Sequence, residues 1–372
     1  MALQPLPDYP WDAMAPYAER ARSHPDGIAD LSIGSPVDAT PEVVRAALSA
    51  ATDAHAYPTT AGTPALREAI VEWFARRRGV PGLEVDNVIP SIGSKELVAL
   101  LPFMVGMGEG DTIVHPLAAY PTYAIGAALC GAVAMASDDP ADWPDSTRLV
   151  WLNSPGNPDG RVLGVDRLRA AVTRARELGA LIVNDECYAE LGWDGEWEST
   201  PIPSILDPRV TDGDTSGIIA IYSLSKQSNM AGYRAAFAAG CSETLARLLN
   251  VRKHAGLMLP GPLQAAMVAA LGDDDHVAEQ KERYRARRDV LLPALQCAGF
   301  RIDHSEAGLY LWATEGKDAW ASIDRLAGLG ILAGPGHFYG DVFPQHVRLS
   351  LTATDERIAA AAERLSASGA GG

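Results

Sequence analysis

Residues 148–184 read RLVWLNSPGNPDGRVLGVDRLRAAVTRARELGALIVN, and this stretch decides the fold. It opens on a short apolar run, 148–153, and closes on another, 180–184, both rich in Val, Leu and Ile as strands are when helices cover both faces of a sheet. Between them Leu168, Val172, Ala175 and Leu178 recur at helical spacing. Asp166 stands where an N-cap is expected, and Gly179 where a left-handed C-terminal cap belongs. The unit reads strand, helix, parallel strand.

Outward from this unit, the runs 111–114, 133–136, 217–222 and 235–240 are further strand candidates, so residues from about 85 to 240 predict an α/β layer around a mostly parallel sheet. Beyond about residue 265 the pattern changes. A long polar helix over 275–295, a strand over 308–312, a helix near 319–329, a strand over 346–351 and a last helix predict a smaller α+β domain. The expected division is therefore 1–40, an N-terminal segment joining the small domain; 41–265, the large domain; and 266–372, the small C-terminal domain. The closing Ser-Ala-Ser-Gly-Ala-Gly-Gly reads as a disordered tail.

Composition narrows the function. The chain has 372 residues, 47% of them hydrophobic and 21% charged, which is ordinary for a folded protein. Its formal net charge of −16 repels phosphate backbones and anionic lipid, so neither nucleic acid nor a membrane is an expected partner. The longest apolar run, 97–108, is too short to span a bilayer and is interrupted by Pro102. The first residues lack the basic-then-apolar pattern of a signal peptide, which implies a cytoplasmic protein. Cys130, Cys187, Cys241 and Cys297 are widely separated, so no zinc ribbon, dithiol pair or other metal site is expected.

In open α/β sheets ligands sit beyond the carboxyl ends of strands. Asn157-Pro158-Asp159-Gly160 follows one run, Asp185 and Tyr188 the next, and Ser223, Ser225 and Lys226 a third, with Arg234 beyond. Upstream, Gly93-Ser94-Lys95 opens a helix and Tyr120-Pro121 follows a strand. Taken singly these are a turn, a helix cap and a surface lysine. Their order is another matter, because a carboxylate, an amide, a phenol and a lysine each fall at the end of a different strand of one sheet. Pyridoxal 5′-phosphate needs such a set. A buried carboxylate keeps its pyridinium nitrogen protonated, a lysine of depressed pKa captures its aldehyde, and its phosphate takes backbone amides, hydroxyls and a guanidinium. Asp185 fits the first role and Lys226 the second.

The same residues carry a family resemblance. Asn157-Pro158-x-Gly160, Asp185-x-x-Tyr188, Ser223-x-Ser225-Lys226 with Arg234, and finally Arg348 resemble the class I/II aminotransferases of pyridoxal-phosphate fold type I, as do the openings at 31–36 and 57–70. The resemblance implies that Lys226 is the cofactor-binding lysine, Asp185 the pyridinium partner, and Tyr188 and Asn157 the donors to the ring oxygen. It implies that Tyr120 stacks on the ring, and that Ser94, Lys95, Ser223, Ser225 and Arg234 form the phosphate cup. Tyr57 would reach the phosphate of the other subunit of a homodimer, Arg348 would grip the substrate α-carboxylate, and Gly34 would close over it. Two positions depart from the pattern: Asp159 replaces a Thr, and at Lys95 only the backbone amide transfers.

The stretches 222–237 and 252–262 resemble N-succinyl-diaminopimelate aminotransferases of lysine biosynthesis. That implies glutamate as amino donor, a succinylated oxo acid as acceptor, and a second anion contact distal to Arg348. The alternatives are an aspartate, alanine or aromatic aminotransferase, or a β-elimination lyase using the same cofactor. A cofactor-binding transcriptional regulator is disfavoured by the acidic charge, and a dinucleotide-binding protein by the lack of a G-x-G-x-x-G.

Overall fold

The computed structural model describes residues 6–369. Its strands are β1 (Ala29–Asp30), β2 (Val88–Ile92), β3 (Thr112–His115), β4 (Val133–Ala136), β5 (Thr147–Asn153), β6 (Leu181–Asp185), β7 (Ile218–Ser223), β8 (Ala235–Gly240), β9 (Arg301–Ile302), β10 (Tyr310–Thr314), β11 (Ile331–Leu332), β12 (Gly334–Pro335) and β13 (His346–Ser350). Its helices are α1 (Ala15–Arg22), α2 (Glu42–Ala50), α3 (Pro64–Arg77), α4 (Ser94–Met104), α5 (Thr122–Cys130), α6 (Val165–Leu178), α7 (Pro208–Thr211), α8 (Leu224–Gln227), α9 (Ser242–Ala255), α10 (Gly261–Gly272), α11 (Asp275–Cys297), α12 (Ala319–Gly328) and α13 (Asp355–Gly369).

Seven strands form the main sheet in the order β2-β8-β7-β6-β5-β3-β4. All neighbours are parallel except those of β8, which runs antiparallel to β7 and β2. Alternation along each strand sends side chains to opposite faces. Val150 and Leu152 of β5 pack with Leu168, Val172 and Ala175 of α6, while Leu149 and Trp151 pack with Leu97, Leu101 and Tyr123 on the other face. Each such side chain contributes about 1.5–3 kcal/mol by leaving water.

The strand-helix-strand unit differs from expectation at one end. Gly164, not Asp166, occupies the N-cap of α6, and Asp166 lies in the first turn, where its charge favours the helix dipole. Gly179 ends the helix at φ 65°, the left-handed cap that a Cβ would disfavour. Strand β2 was not anticipated because Pro90 interrupts its pattern. It is an edge strand paired only with β8, where a missing N–H is tolerated.

A second core is built on the antiparallel sheet β12-β13-β10-β9. Leu311, Ala313, Val347 and Leu349 pack there with Leu291 and Leu295 of α11 and Ile358 of α13. Ala18, Ala29 and Leu31 join them, and β1 pairs parallel with β11, so the N-terminal segment is tied to this core. Helix α10 straddles the expected division at 265/266 and buries Ala266, Met267, Ala270 and Leu271 in the core of the main sheet. Helix α13 continues to Gly369, so Ser366, Ala367, Ser368 and Gly369 are helical rather than part of a disordered tail, and the last residues of that tail, 370–372, lie outside the described residues. Among the described residues no helix is long and apolar enough to cross a membrane.

Candidate active site

Strands β5 and β6 end level with one another, and β7 continues past them to Ser223. Asn153 pairs in register with Asp185, and Asp185 with Ile221. The polar residues that follow these strands therefore converge on one rim of the sheet.

Asp185 is buried at the end of β6. Its Oδ2 accepts the Tyr123 hydroxyl at 3.2 Å and its Oδ1 the Cys187 N–H at 3.2 Å. Burial pushes its carboxyl above the usual range, because loss of water penalises the anion more than these hydrogen bonds favour it. Asn153 ties the β5 turn to the same strand, donating to the Asp185 carbonyl at 2.8 Å, and its Oδ1 accepts the Asn157 N–H at 2.8 Å. Asn157 is thereby held with its Oδ1 accepting from Arg348 Nη1 at 2.8 Å.

Lys226 lies on α8, just past β7, and its ammonium donates to the Gly34 carbonyl. Burial lowers its pKa, and the charges of Arg348 and Arg234 act in the same direction. Ser223 caps α8 by accepting the Ser225 N–H at 3.2 Å, and its Oγ lies 2.8 Å from Ser225 Oγ. Arg234 adopts a left-handed backbone at φ 58°, and a Cβ on Gly93 would collide with its guanidinium. Gly93 itself has φ 73° and precedes Ser94, the first residue of α4.

Arg348 arrives from the second core. In the β10/β13 register Trp312 faces Arg348 and Tyr310 faces Ser350, which places Arg348 and Tyr310 on one face of that sheet. Its Nη2 donates to the Ser32 carbonyl at 2.7 Å, and its Cζ lies 3.9 Å from the Tyr310 ring centre and 4.8 Å from that of Tyr339. Its buried Nε has no partner.

The structure thus brings Gly34, Asn157, Asp185, Tyr188, Lys226 and Arg348 together, with Ser94, Ser223, Ser225 and Arg234 along one side. Tyr120 packs edge-on to Tyr123 at 5.9 Å, and burial pushes its phenol up to about 12. Two expected residues stand apart from this group. Tyr57 is 92% exposed in the single chain. Lys95 is exposed, and its ammonium lies 5.9 Å from the Tyr9 ring centre rather than in the cup.

Sequence reasoning missed Tyr310, Tyr123 and Ser32. Tyr310 lies 3.3 Å from Tyr188, hydroxyl to hydroxyl, and fills the space a Cβ on Gly34 would need. Burial pushes its phenol up, but the charges of Arg348 and Lys226 outweigh it and hold the phenol below its ordinary value, while burial keeps that of Tyr188 well above. No sequence signal marks Tyr310 until strand register sets it beside Arg348. Asp159, which departs from the family pattern, is half-buried, and desolvation raises its carboxyl. It accepts the Arg161 N–H at 3.2 Å and lines a cavity of about 930 Å³ beside the Asn157 turn.

Residues 26–365 match the family model of aminotransferase class I and II. The chain belongs to that family. It is 54% identical over 364 residues, 98% of this chain and 100% of the relative, to the 4-dedimethylamino-4-oxo-anhydrotetracycline transaminase OxyQ of Streptomyces rimosus. A probable aminotransferase of Mycobacterium tuberculosis is 54% identical over 361 residues, 97% of this chain and 85% of the relative. An aminotransferase structure from Neisseria meningitidis superposes with a TM-score of 0.87 at 29% identity, covering 98% of each chain. This aminotransferase is a fold type I enzyme and depends on pyridoxal 5′-phosphate, as its family does. Its residues fit that group. The Arg234 guanidinium occupies the space a Cβ on Gly93 would need, which sets a cation against the first turn of α4, and the buried Asp185 carboxyl and the depressed Lys226 amine follow one another across the neighbouring strands β6 and β7.

Proposed function

We propose that this aminotransferase moves an amino group from glutamate to the oxo group of N-succinyl-2-amino-6-oxopimelate, giving N-succinyl-LL-2,6-diaminopimelate. Bound pyridoxal phosphate supplies the electron sink that draws charge from the substrate α-carbon. Asp185 would hold the ring nitrogen in its protonated state, because a cation on that nitrogen would offset the burial that disfavours the Asp185 anion. Asn157 and Tyr188 would bind the ring oxygen, and Tyr120 would cover the ring. Ser94, Ser223, Ser225, Arg234 and the Lys95 amide would hold the phosphate. Lys226 would hold the aldehyde and move the proton on and off the substrate α-carbon, a role open to an amine that burial keeps neutral more readily than a solvated lysine.

The observation that carries the amino-acid reading is Arg348. Its terminal nitrogens are anchored on Asn157 and Ser32, and its buried Nε–H is free for a carboxylate. Two further features support the succinylated acceptor. The stretches 222–237 and 252–262 resemble enzymes for it. The exposed Lys95 ammonium, 5.9 Å from the Tyr9 ring centre, also offers a cation for a distal carboxylate. A second reading, a bulky polycyclic oxo substrate, is favoured by the identity with the tetracycline transaminase and by the rings of Trp11, Tyr310 and Tyr339 around Arg348.

We also propose a homodimer in which Tyr57, almost fully exposed in one chain, completes the partner's phosphate cup. Four free cysteines support a reducing, cytoplasmic setting. Turnover on succinylated diaminopimelate, aspartate, alanine, phenylalanine and an oxo-anhydrotetracycline tests the substrate. Preference for any of the last four refutes the succinylated reading, and release of pyruvate and ammonia without an oxo acid would mark a lyase instead.

A further inference from the structure

A charged pair behind the proposed phosphate turn takes no part in the chemistry above. Arg252, on α9, is fully buried, and its Nη1 donates to both carboxylate oxygens of Glu96, at 2.8 and 3.1 Å. Its Nη2 is anchored on the Leu257 carbonyl at 3.3 Å. Glu96 is the third residue of α4, and its Oε2 also accepts the Ile92 N–H at 3.2 Å, so its side chain folds back across the turn between β2 and α4. The Gly93 N–H is taken by the Ser91 carbonyl at 2.9 Å.

The first amides of a helix have no intrahelical acceptor, and they favour an anion. In this turn Glu96 satisfies Ile92 and Ser91 satisfies Gly93, which leaves the amides of Ser94 and Lys95 for an external anion. An unpaired carboxylate on the same turn would repel a phosphate dianion and compete for those amides. Arg252 removes both difficulties, because its two bonds neutralise Glu96 and fix it on Ile92.

We propose that Arg252 and Glu96 are positioning residues for the cofactor phosphate: the buried guanidinium clamps and neutralises Glu96 so that the Ser94 and Lys95 amides are preset for a dianion. This rests on the assignment of that turn to the phosphate.

The test measures cofactor affinity and inorganic-phosphate affinity of the apoprotein by equilibrium dialysis, with thermal melting alongside, rather than turnover. Arg252→Met leaves Glu96 uncompensated, and both affinities fall by roughly 10–100-fold, on the scale that losing an outer-shell partner costs at a metal site. Arg252→Gln keeps a donor without the charge and carries the same expectation if the methionine variant does not fold. Glu96→Gln alone costs only a few-fold, about twofold to fivefold, and Glu96→Gln with Arg252→Met regains most of the loss, because the uncompensated anion is gone. Equal losses in the single and double Arg252 variants, or wild-type affinity in Arg252→Gln, overturn the proposal. Arg234→Met is the control for the underlying assignment. If it leaves phosphate affinity unchanged the turn is not the phosphate site, whereas a loss there with none at Arg252 refutes only the positioning role.

Discussion

Replacing Arg348 by Lys keeps the positive charge and removes the planar fork, so it separates geometry from electrostatics at the substrate carboxylate. Nη1 is committed to Asn157 at 2.8 Å and Nη2 to the Ser32 carbonyl at 2.7 Å. A guanidinium has five N–H donors, so Nε–H and one hydrogen on each terminal nitrogen remain for a carboxylate. A lysine ammonium carries its donors on a single atom and cannot reach Asn157 and Ser32 while presenting two parallel bonds. It also loses the stacking of the guanidinium 3.9 Å above Tyr310. Losing one charge-assisted hydrogen bond costs about 1.5–3 kcal/mol, which corresponds to about 10–150-fold in kcat/KM. Amino donor and oxo acceptor both carry the α-carboxylate, so both half-reactions should fall by similar factors. Rapid-mixing spectroscopy of each half-reaction, with thermal melting to confirm folding, measures this. A loss confined to one half-reaction, or under about threefold in both, would refute the assignment of Arg348.

Lys226→Ala should abolish transamination yet still bind pyridoxal phosphate non-covalently; borohydride should label the wild-type protein at Lys226, and label elsewhere would end that assignment. Asp185→Asn should lower turnover by several powers of ten, each costing about 1.4 kcal/mol of transition-state stabilisation. The same variant should melt higher than wild type as apoprotein near neutral pH. The folded carboxyl titrates above its unfolded value of 3.8, so ionising it costs folded-state stability above that range; the difference should shrink as pH falls through the folded pKa and vanish below the unfolded one. Tyr57→Phe should weaken cofactor binding only in the dimer; a monomeric active protein, by sedimentation, would contradict the shared site.

The large sheet was legible because its signals are local. Apolar runs, the helical spacing of Leu168, Val172 and Ala175, and Gly179 each report on their own neighbourhood, and the structure returns them as β5, α6 and β6. The capping residue of α6 was misread because Gly164 and Asp166 are both acceptable near a helix start, and only backbone geometry separates them. The edge strand β2 was hidden by Pro90, whose tolerance depends on which neighbours the strand has. The tail was misread because Ser-Ala-Ser-Gly has no strong preference, and α13 extends through it.

The catalytic order along the chain was readable for a related reason. Residues that follow strands of one parallel sheet are delivered to one rim whatever the loops between them do. Asn157, Asp185 and Lys226 therefore announced themselves by position and chemical type. What the sequence could not supply was everything that depends on elements far apart in the chain packing together. Arg348 meets Asn157 and Ser32, Tyr310 comes under Arg348 and against Gly34, and Arg252 reaches Glu96, across separations in the chain that no local pattern spans. Chemical type is written residue by residue, whereas desolvation and charge coupling belong to the packed assembly. The direction in which Asp185, Lys226 and Tyr310 are shifted was therefore decided only by tertiary structure.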